Sequence, residues 1–174
     1  DCLLQRGVAS VVAVDVGRAQ LHERLRSDPR VEVRERTDVR ELDPGAMGAP
    51  FGMVVADLSF ISLRTVMIDL LGLIDTESSM VLLVKPQFEA GRADADRGRG
   101  VIRDPEVRRR ALQEVHRSVC SHGAAIMEGM ESPISGAKGN LEYLVHVVLG
   151  GTHPGFDPAA LVTGSPEAGR VGAP

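Results

Sequence analysis

The sequence contains no tryptophan, a single tyrosine and four phenylalanines in 174 residues. A chain so poor in aromatic rings offers little platform for gripping single-stranded nucleic acid through its bases. Only two cysteines occur, Cys2 and Cys120. They are too few and too far apart for a disulfide framework or a thiolate zinc site, and they read as ordinary reduced thiols. No stretch approaches the ~18 consecutive apolar residues of a membrane span. The start lacks the basic-then-apolar pattern of a signal peptide, so a cytoplasmic address is expected. Positive charge is not in excess either: 20 Lys and Arg stand against 24 Asp and Glu, a net charge of −4. That balance argues against a domain holding a polyanion by charge alone. The five histidines, His22, His116, His122, His146 and His153, are scattered without metal-ligand spacing, and no metal is expected.

What is present is the composition of an ordinary globular domain, 43 % hydrophobic and 25 % charged. "DCLLQRG" ends a helix at Gly7. "SVVAVDVG" (residues 10–17) is a β-branched, apolar strand closed by Asp15 and a glycine. "AQLHERLRSDP" is a short amphipathic helix, and Val31–Glu35 a second strand. Strand Met53–Asp57, helix Leu63–Leu73 and strand Met80–Lys85 follow, then a polar loop to Arg103. Asp104 caps and Pro105 opens a helix running to about Ser121. Two strand-like runs, "AAIMEGMESPI" and "LEYLVHVVL", are joined by the turn-rich "SGAKGN" and predict an antiparallel hairpin. From Gly150 the Gly-, Pro- and Ala-dense sequence predicts a disordered tail over residues 150–174. Alternation of strand and helix predicts an α/β, Rossmann-like fold: a mostly parallel sheet covered on both faces, with a C-terminal hairpin.

In such sheets ligands sit beyond the carboxyl ends of the strands. Asp15 ends the first strand, the second leads into "ERTD" with Asp38, Asp57 ends the third and Lys85 the fourth. The final strand runs the other way, so Glu142, near its start, belongs to the same edge. Taken singly, each has an ordinary role: a turn cap for Asp15 or Asp57, a surface turn for Asp38, edge protection for Glu142. Lys85 could extend its ammonium past the sheet into solvent. Jointly, five polar groups on one edge point to a site. A lysine at a half-buried strand tip beside carboxylates can orient a hydroxyl and take its proton. An acid after a strand suits a ribose diol, since a carboxylate accepts from two hydroxyls.

The motifs "VDVG", "ERT", "VVADLSFISL", "LLVKPQFEAG", "GRGVIRDP" and "GNLEYLV" occur in this order. On them the chain resembles the TlyA family, hemolysin-A-like rRNA 2′-O-methyltransferases related to RrmJ/FtsJ, over roughly Asp1 to Leu149. The resemblance implies one methyltransferase domain over 1–149 and S-adenosylmethionine as cofactor. It implies methyl transfer to the 2′-hydroxyl of a cytidine in ribosomal RNA, with ribosomal subunits as partners. Three members of the family's Lys-Asp-Lys-Glu tetrad fall on Asp57, Lys85 and Glu142. Its cofactor-binding acids fall on Asp15 for the ribose, Asp38 for the adenine, and Asp57.

One departure accompanies this match. The chain opens inside a helix, so the family's first strand, Gly-rich cofactor loop, first tetrad lysine and small S4-type RNA-binding domain would all precede Asp1. The expectation is a fragment that binds cofactor weakly by itself. Two rivals stand beside the enzyme reading: an inactive relative serving as an RNA- or partner-binding module, and a nicotinamide-dependent oxidoreductase, against which the terminal hairpin speaks. Arg97, Arg99, Arg103, Arg108, Arg109 and Arg110 accumulate in "RGRGVIRDPEVRRR". They either contact RNA phosphates or form a solvated helix face balanced by Asp104 and Glu106. Membrane lysis finds no support in a spanning or strongly basic amphipathic segment.

Overall fold

Apolar, β-branched runs followed or closed by an acid or a lysine set the strands Val11–Asp15, Met53–Ala56 and Ser79–Val84 of this protein. The computed structural model describes residues 1–91, 94, 97–136, 138–150 and 156–162. The chain divides into two units, Asp1–Ala49 and Pro50–Pro174.

In the first unit, α1 (Cys2–Gln5) ends before Gly7, which takes the left-handed conformation (φ +88°) that favours glycine. Strands β1 (Val11–Asp15) and β2 (Val31–Glu35) pair in parallel, with Val11 opposite Val31 and Asp15 opposite Glu35. The helix expected across residues 19–29 is confined to α2 (Glu23–Arg26). Ala19 has φ +55°, which no α-helix accommodates, and His22 caps α2 by accepting from the Arg24 N–H at 3.2 Å. A 3-10 turn, Val39–Glu41, follows β2 and is capped by Asp38.

The second unit is built on a four-stranded sheet of order β3-β4-β6-β5. Strand β3 (Met53–Ala56) is parallel to β4 (Ser79–Val84), while β6 (Tyr143–Leu149) runs antiparallel to β4 and to β5 (Ala124–Glu131). The strands therefore fall into two sheets, with two parallel and two antiparallel pairings among the described residues. The expected terminal hairpin is β5–β6. Alternate residues of β4 and β6 face one core: Met80, Leu82 and Val84 stand opposite Val147, Val145 and Tyr143, and all six are buried. Helix α3 (Leu63–Leu71) contributes Val66, Met67 and Leu70 to the core, and α5 (Pro105–Ser121) contributes Leu112, Val115 and Val119. Asp104 and Pro105 start α5 as the sequence predicts, the carboxylate accepting from the Glu106 N–H at 2.9 Å. Between Lys85 and the polar loop lies a helical turn, α4 (Pro86–Glu89), with the proline in its first turn.

Within the predicted tail, residues Pro158–Leu161 form a 3-10 turn. Val162 is buried, and its carbonyl accepts from Arg109 at 3.1 Å. Residues 151–155 and 163–174 of that tail lie outside the described residues.

Candidate active site

Strand β3 delivers Asp57 and the adjacent parallel strand β4 delivers Lys85, each one residue past the end of its strand. Parallel pairing puts the two carboxyl ends on the same edge. There the Lys85 ammonium meets the Asp57 carboxylate at 2.6 Å and donates to the Ser59 hydroxyl at 3.2 Å. The Lys85 side chain is only 12 % exposed whereas that of Asp57 is 70 % exposed. An apolar stem buried along the strand ends in a charge pressed against a solvent-facing carboxylate. This placement answers why a core strand terminates in lysine: the amine is directed at one spot and held there.

Two phenylalanines flank the pair. Phe88 lies with its ring centroid 5.9 Å from the Lys85 ammonium and packs, tilted at 49°, on Phe60 with centroids 5.2 Å apart. Phe60 is 91 % exposed and has φ +65°. A bulky residue in the left-handed region is costly, and such outliers concentrate at functional sites.

Glu142 is buried, immediately before β6, and its Oε1 accepts from the Gln87 side-chain amide at 2.7 Å. Gln87 lies two residues beyond Lys85, so the carboxylate reaches the Lys85 loop through this amide. Among the described residues Glu142 makes no ion pair with Lys85. The loop before it closes tightly: a Cβ on Gly136 would stand 2.5 Å from Glu142 Oε1. Asn140, also buried, anchors that loop by accepting from the Ile102 N–H and donating to the Gly100 carbonyl, both at 2.9 Å.

In the first unit, Asp15 and Glu35 are direct cross-strand partners at the carboxyl ends of β1 and β2. Asp15 Oδ1 accepts from the Gly17 N–H at 2.6 Å, and its other oxygen has no partner among the described residues. A Cβ on Gly17 would come within 3.0 Å of that carboxylate, so the turn needs glycine for close approach. Glu35 accepts from the Ala19 N–H at 2.7 Å and pairs with Arg26, whose hydrogen bond holds the carboxyl below its usual range. A cavity of about 120 Å³ lies here, bordered by Val14, Asp15, Gln20, Leu21, Val33 and Glu35. Asp38 is placed differently. Both its oxygens engage Arg40, at 3.0 and 2.6 Å, and that hydrogen bond lowers its carboxyl to about 2.

The arginine-rich segment is mostly committed internally. Arg97 and Arg110 pair with Asp94, Arg109 with Glu106, and Arg108 is buried on α5. Arg99 and Arg103 are exposed, with no partner among the described residues. Ser59, Phe60, Gln87 and Phe88 are the neighbours that sequence reasoning did not single out. The only local signal was their presence inside the "ADLSFISL" and "VKPQFE" motifs.

No described helix is long and apolar enough to cross a membrane, and no group of three metal-ligating side chains occurs among the described residues. An open α/β sheet with a lysine–carboxylate pair at the carboxyl ends of neighbouring parallel strands places polar groups where Rossmann-like folds bind their ligands. Comparison with known proteins makes this specific: residues 1–148 match the family model of the FtsJ-like methyltransferases, and the chain belongs to that family. It is similar to the 16S/23S rRNA (cytidine-2′-O)-methyltransferase TlyA of Mycobacterium tuberculosis, with 47 % identity over 145 residues, 83 % of this chain and 54 % of that protein. Hemolysin A of Brachyspira hyodysenteriae is 36 % identical over 86 % of this chain and 62 % of its own length. Among solved structures, a candidate hemolysin from Lactococcus lactis superposes with a TM-score of 0.85 at 32 % identity, covering 92 % of this chain and 78 % of that one. The chain spans about half the length of the curated relatives it matches.

Proposed function

We propose that this chain carries the catalytic portion of an S-adenosylmethionine-dependent methyltransferase that modifies a cytidine 2′-hydroxyl in ribosomal RNA, in the cytoplasm. The observation that carries the reading is the 2.6 Å contact between Lys85 and Asp57 at adjoining strand ends. It is joined by membership of the FtsJ-like family and by the named activity of the M. tuberculosis relative.

S-adenosylmethionine, when bound, supplies an electrophilic methyl group. The residues present fit part of it. Asp15 has an unengaged carboxylate oxygen for a ribose hydroxyl, on a turn held open by Gly17. The cavity beside it, about 120 Å³, is well below the ~300 Å³ from which small-molecule pockets begin, so by itself it holds no more than part of the cofactor. Asp38, occupied by Arg40, is the weaker candidate for the adenine amino group.

On the acceptor side, Lys85 orients the 2′-oxygen and, once its ammonium has released a proton to solvent, the neutral amine takes the hydroxyl proton; Asp57 fixes the amine, and Glu142 steadies the Lys85 loop through Gln87. Most of the rate comes from holding the reactants in register. Exposed Phe60 offers a flat face to the base of the target nucleotide, and Arg99 and Arg103 are available to its phosphates. The test is transfer of labelled methyl to ribosomal subunits followed by nucleoside analysis. Wild-type protein yields 2′-O-methylcytidine and Lys85→Ala yields essentially none; undiminished transfer by Lys85→Ala refutes the assignment.

A further inference from the structure

Glu89 closes α4, four residues beyond Lys85, and is 2 % exposed. An ionised carboxylate in that position is costly unless its lone pairs are satisfied. Here they are satisfied by one segment. Oε1 accepts from the Leu63 N–H at 2.7 Å, and Oε2 accepts from the Ser62 hydroxyl at 2.5 Å and from Arg64 Nε at 3.3 Å. Arg64 also donates to the Glu89 carbonyl at 2.9 Å and is held from outside by Glu114 at 2.7 Å. Ser62, Leu63 and Arg64 open α3, so the carboxylate binds the free Leu63 N–H of that helix's first turn and lies at the favourable end of its dipole.

The bonds matter because of what they connect. The segment after β3 runs from Asp57 through Ser59 and Phe60 to Ser62, and the segment after β4 runs from Lys85 to Glu89. Lys85–Asp57 ties the two segments at their near ends, and Glu89–Ser62/Leu63/Arg64 ties them at their far ends. The result is a closed ring of eleven residues and two polar clasps. One clasp is exposed at Asp57 and the other is shielded from water. An exposed ion pair alone does not hold two flexible loops to one geometry, since it is weak and competes with solvent. The buried clasp does, and the left-handed Phe60 backbone within the ring shows that the ring over-determines its conformation.

We infer that Glu89 is a positioning residue for the Asp57–Lys85 pair, fixing the separation of the two loops so that the amine stays aimed at the reacting hydroxyl. The inference rests on the proposed roles of Asp57 and Lys85. With the full-length protein, Glu89→Gln keeps shape but faces Arg64 with an uncharged amide. Its kcat should fall about tenfold or more, within the ~100-fold that an ångström of misplacement costs. KM for S-adenosylmethionine and for RNA should stay within about twofold, because neither ligand touches Glu89. In an Asp57→Asn background the same substitution should cost little further, since it acts through that pair. Ser62→Ala removes one donor and should lower kcat several-fold, which also serves if Glu89→Gln folds poorly. Val119→Ala, in the core of α5, controls for lost stability and should leave kcat unchanged. Unaltered kcat in both clasp variants, or an undiminished Glu89→Gln effect in the Asp57→Asn background, overturns the inference while leaving the proposed function standing. Absence of methyl transfer by the wild type overturns both.

Discussion

Gly136→Ala tests whether the loop before β6 is built around the Glu142 carboxylate. An added Cβ would stand 2.5 Å from Oε1 and 3.1 Å from Cδ of Glu142, the first a distance that forces something to shift and the second a tight contact. Two responses are open. Glu142 can swing away, giving up its 2.7 Å bond from Gln87 and leaving a buried carboxylate short of a donor, a loss of about 1.5–3 kcal/mol. Alternatively the loop can lift, straining the Asn140 anchor, at about 1–3 kcal/mol for overpacking. Either way the melting temperature should fall by roughly 2–12 °C, taking ~2–4 °C per kcal/mol for a chain of this size. Thermal unfolding followed by circular dichroism measures it. The cost should vanish in a Glu142→Ala background, where the Cβ has room, and Gly→Ala there should be neutral or slightly stabilising through the unfolded chain. A melting temperature changed by less than about 1 °C, or an equal drop in both backgrounds, refutes the reasoning.

Other predictions follow from the charges and the single tyrosine. Asp15→Asn keeps an acceptor for the Gly17 N–H but removes the charge; calorimetry should show S-adenosylmethionine binding weakened about tenfold, and an unchanged Kd counts against Asp15 as the ribose ligand. Asp28 and Asp38 are held at about 2 by Arg30 and Arg40, below the 3.8 of an unfolded aspartate. Their contribution to stability is thus present above about pH 4 and lost as pH falls through 2. Urea unfolding between pH 2 and 6 should show a shallower acid decline for Asp38→Asn, and an identical decline contradicts this. Burial pushes the Tyr143 hydroxyl above 10, so its contribution persists below pH 10 and is lost as pH rises through the raised value. Being the only tyrosine, it gives a clean signal: tyrosinate absorbance should appear together with alkaline unfolding, not at pH 10 in a folded protein.

Much of this was legible in the sequence where a local rule decides the outcome. Val31–Glu35 reads as a strand by alternation and is one; Asp104-Pro105 caps α5; the change of rhythm after Ser121 marks the β5–β6 hairpin. Asp57 and Lys85 could be paired on paper because polar residues ending neighbouring parallel strands share an edge. The shortening of the first crossover helix was not legible, because the left-handed Ala19 is held by the returning chain: its N–H donates to Glu35, sixteen residues on. Nor was α4, although Pro86 at its first turn is a recognised start signal. Gln87 and Glu89 escaped notice for the same reason. Their partners, Glu142 and Ser62–Arg64, lie 55 and 25–27 residues away, and no periodicity marks a contact between loops. Asp38 shows the converse: an acid two residues before an arginine forms its own turn and ion pair, as Asp28 does with Arg30.

The central claim is that an amine and a carboxylate from adjacent strands act on one hydroxyl as a single device. The most direct measurement is the single-turnover rate of methyl transfer for wild type, Asp57→Asn, Lys85→Ala and the double variant, at saturating S-adenosylmethionine and RNA. Groups working as a unit are strongly non-additive. The double variant should be no slower than Lys85→Ala alone, and each single variant should be at least about 100-fold slower than wild type. Losses that multiply, or a Lys85→Ala protein that turns over at the wild-type rate, would contradict it.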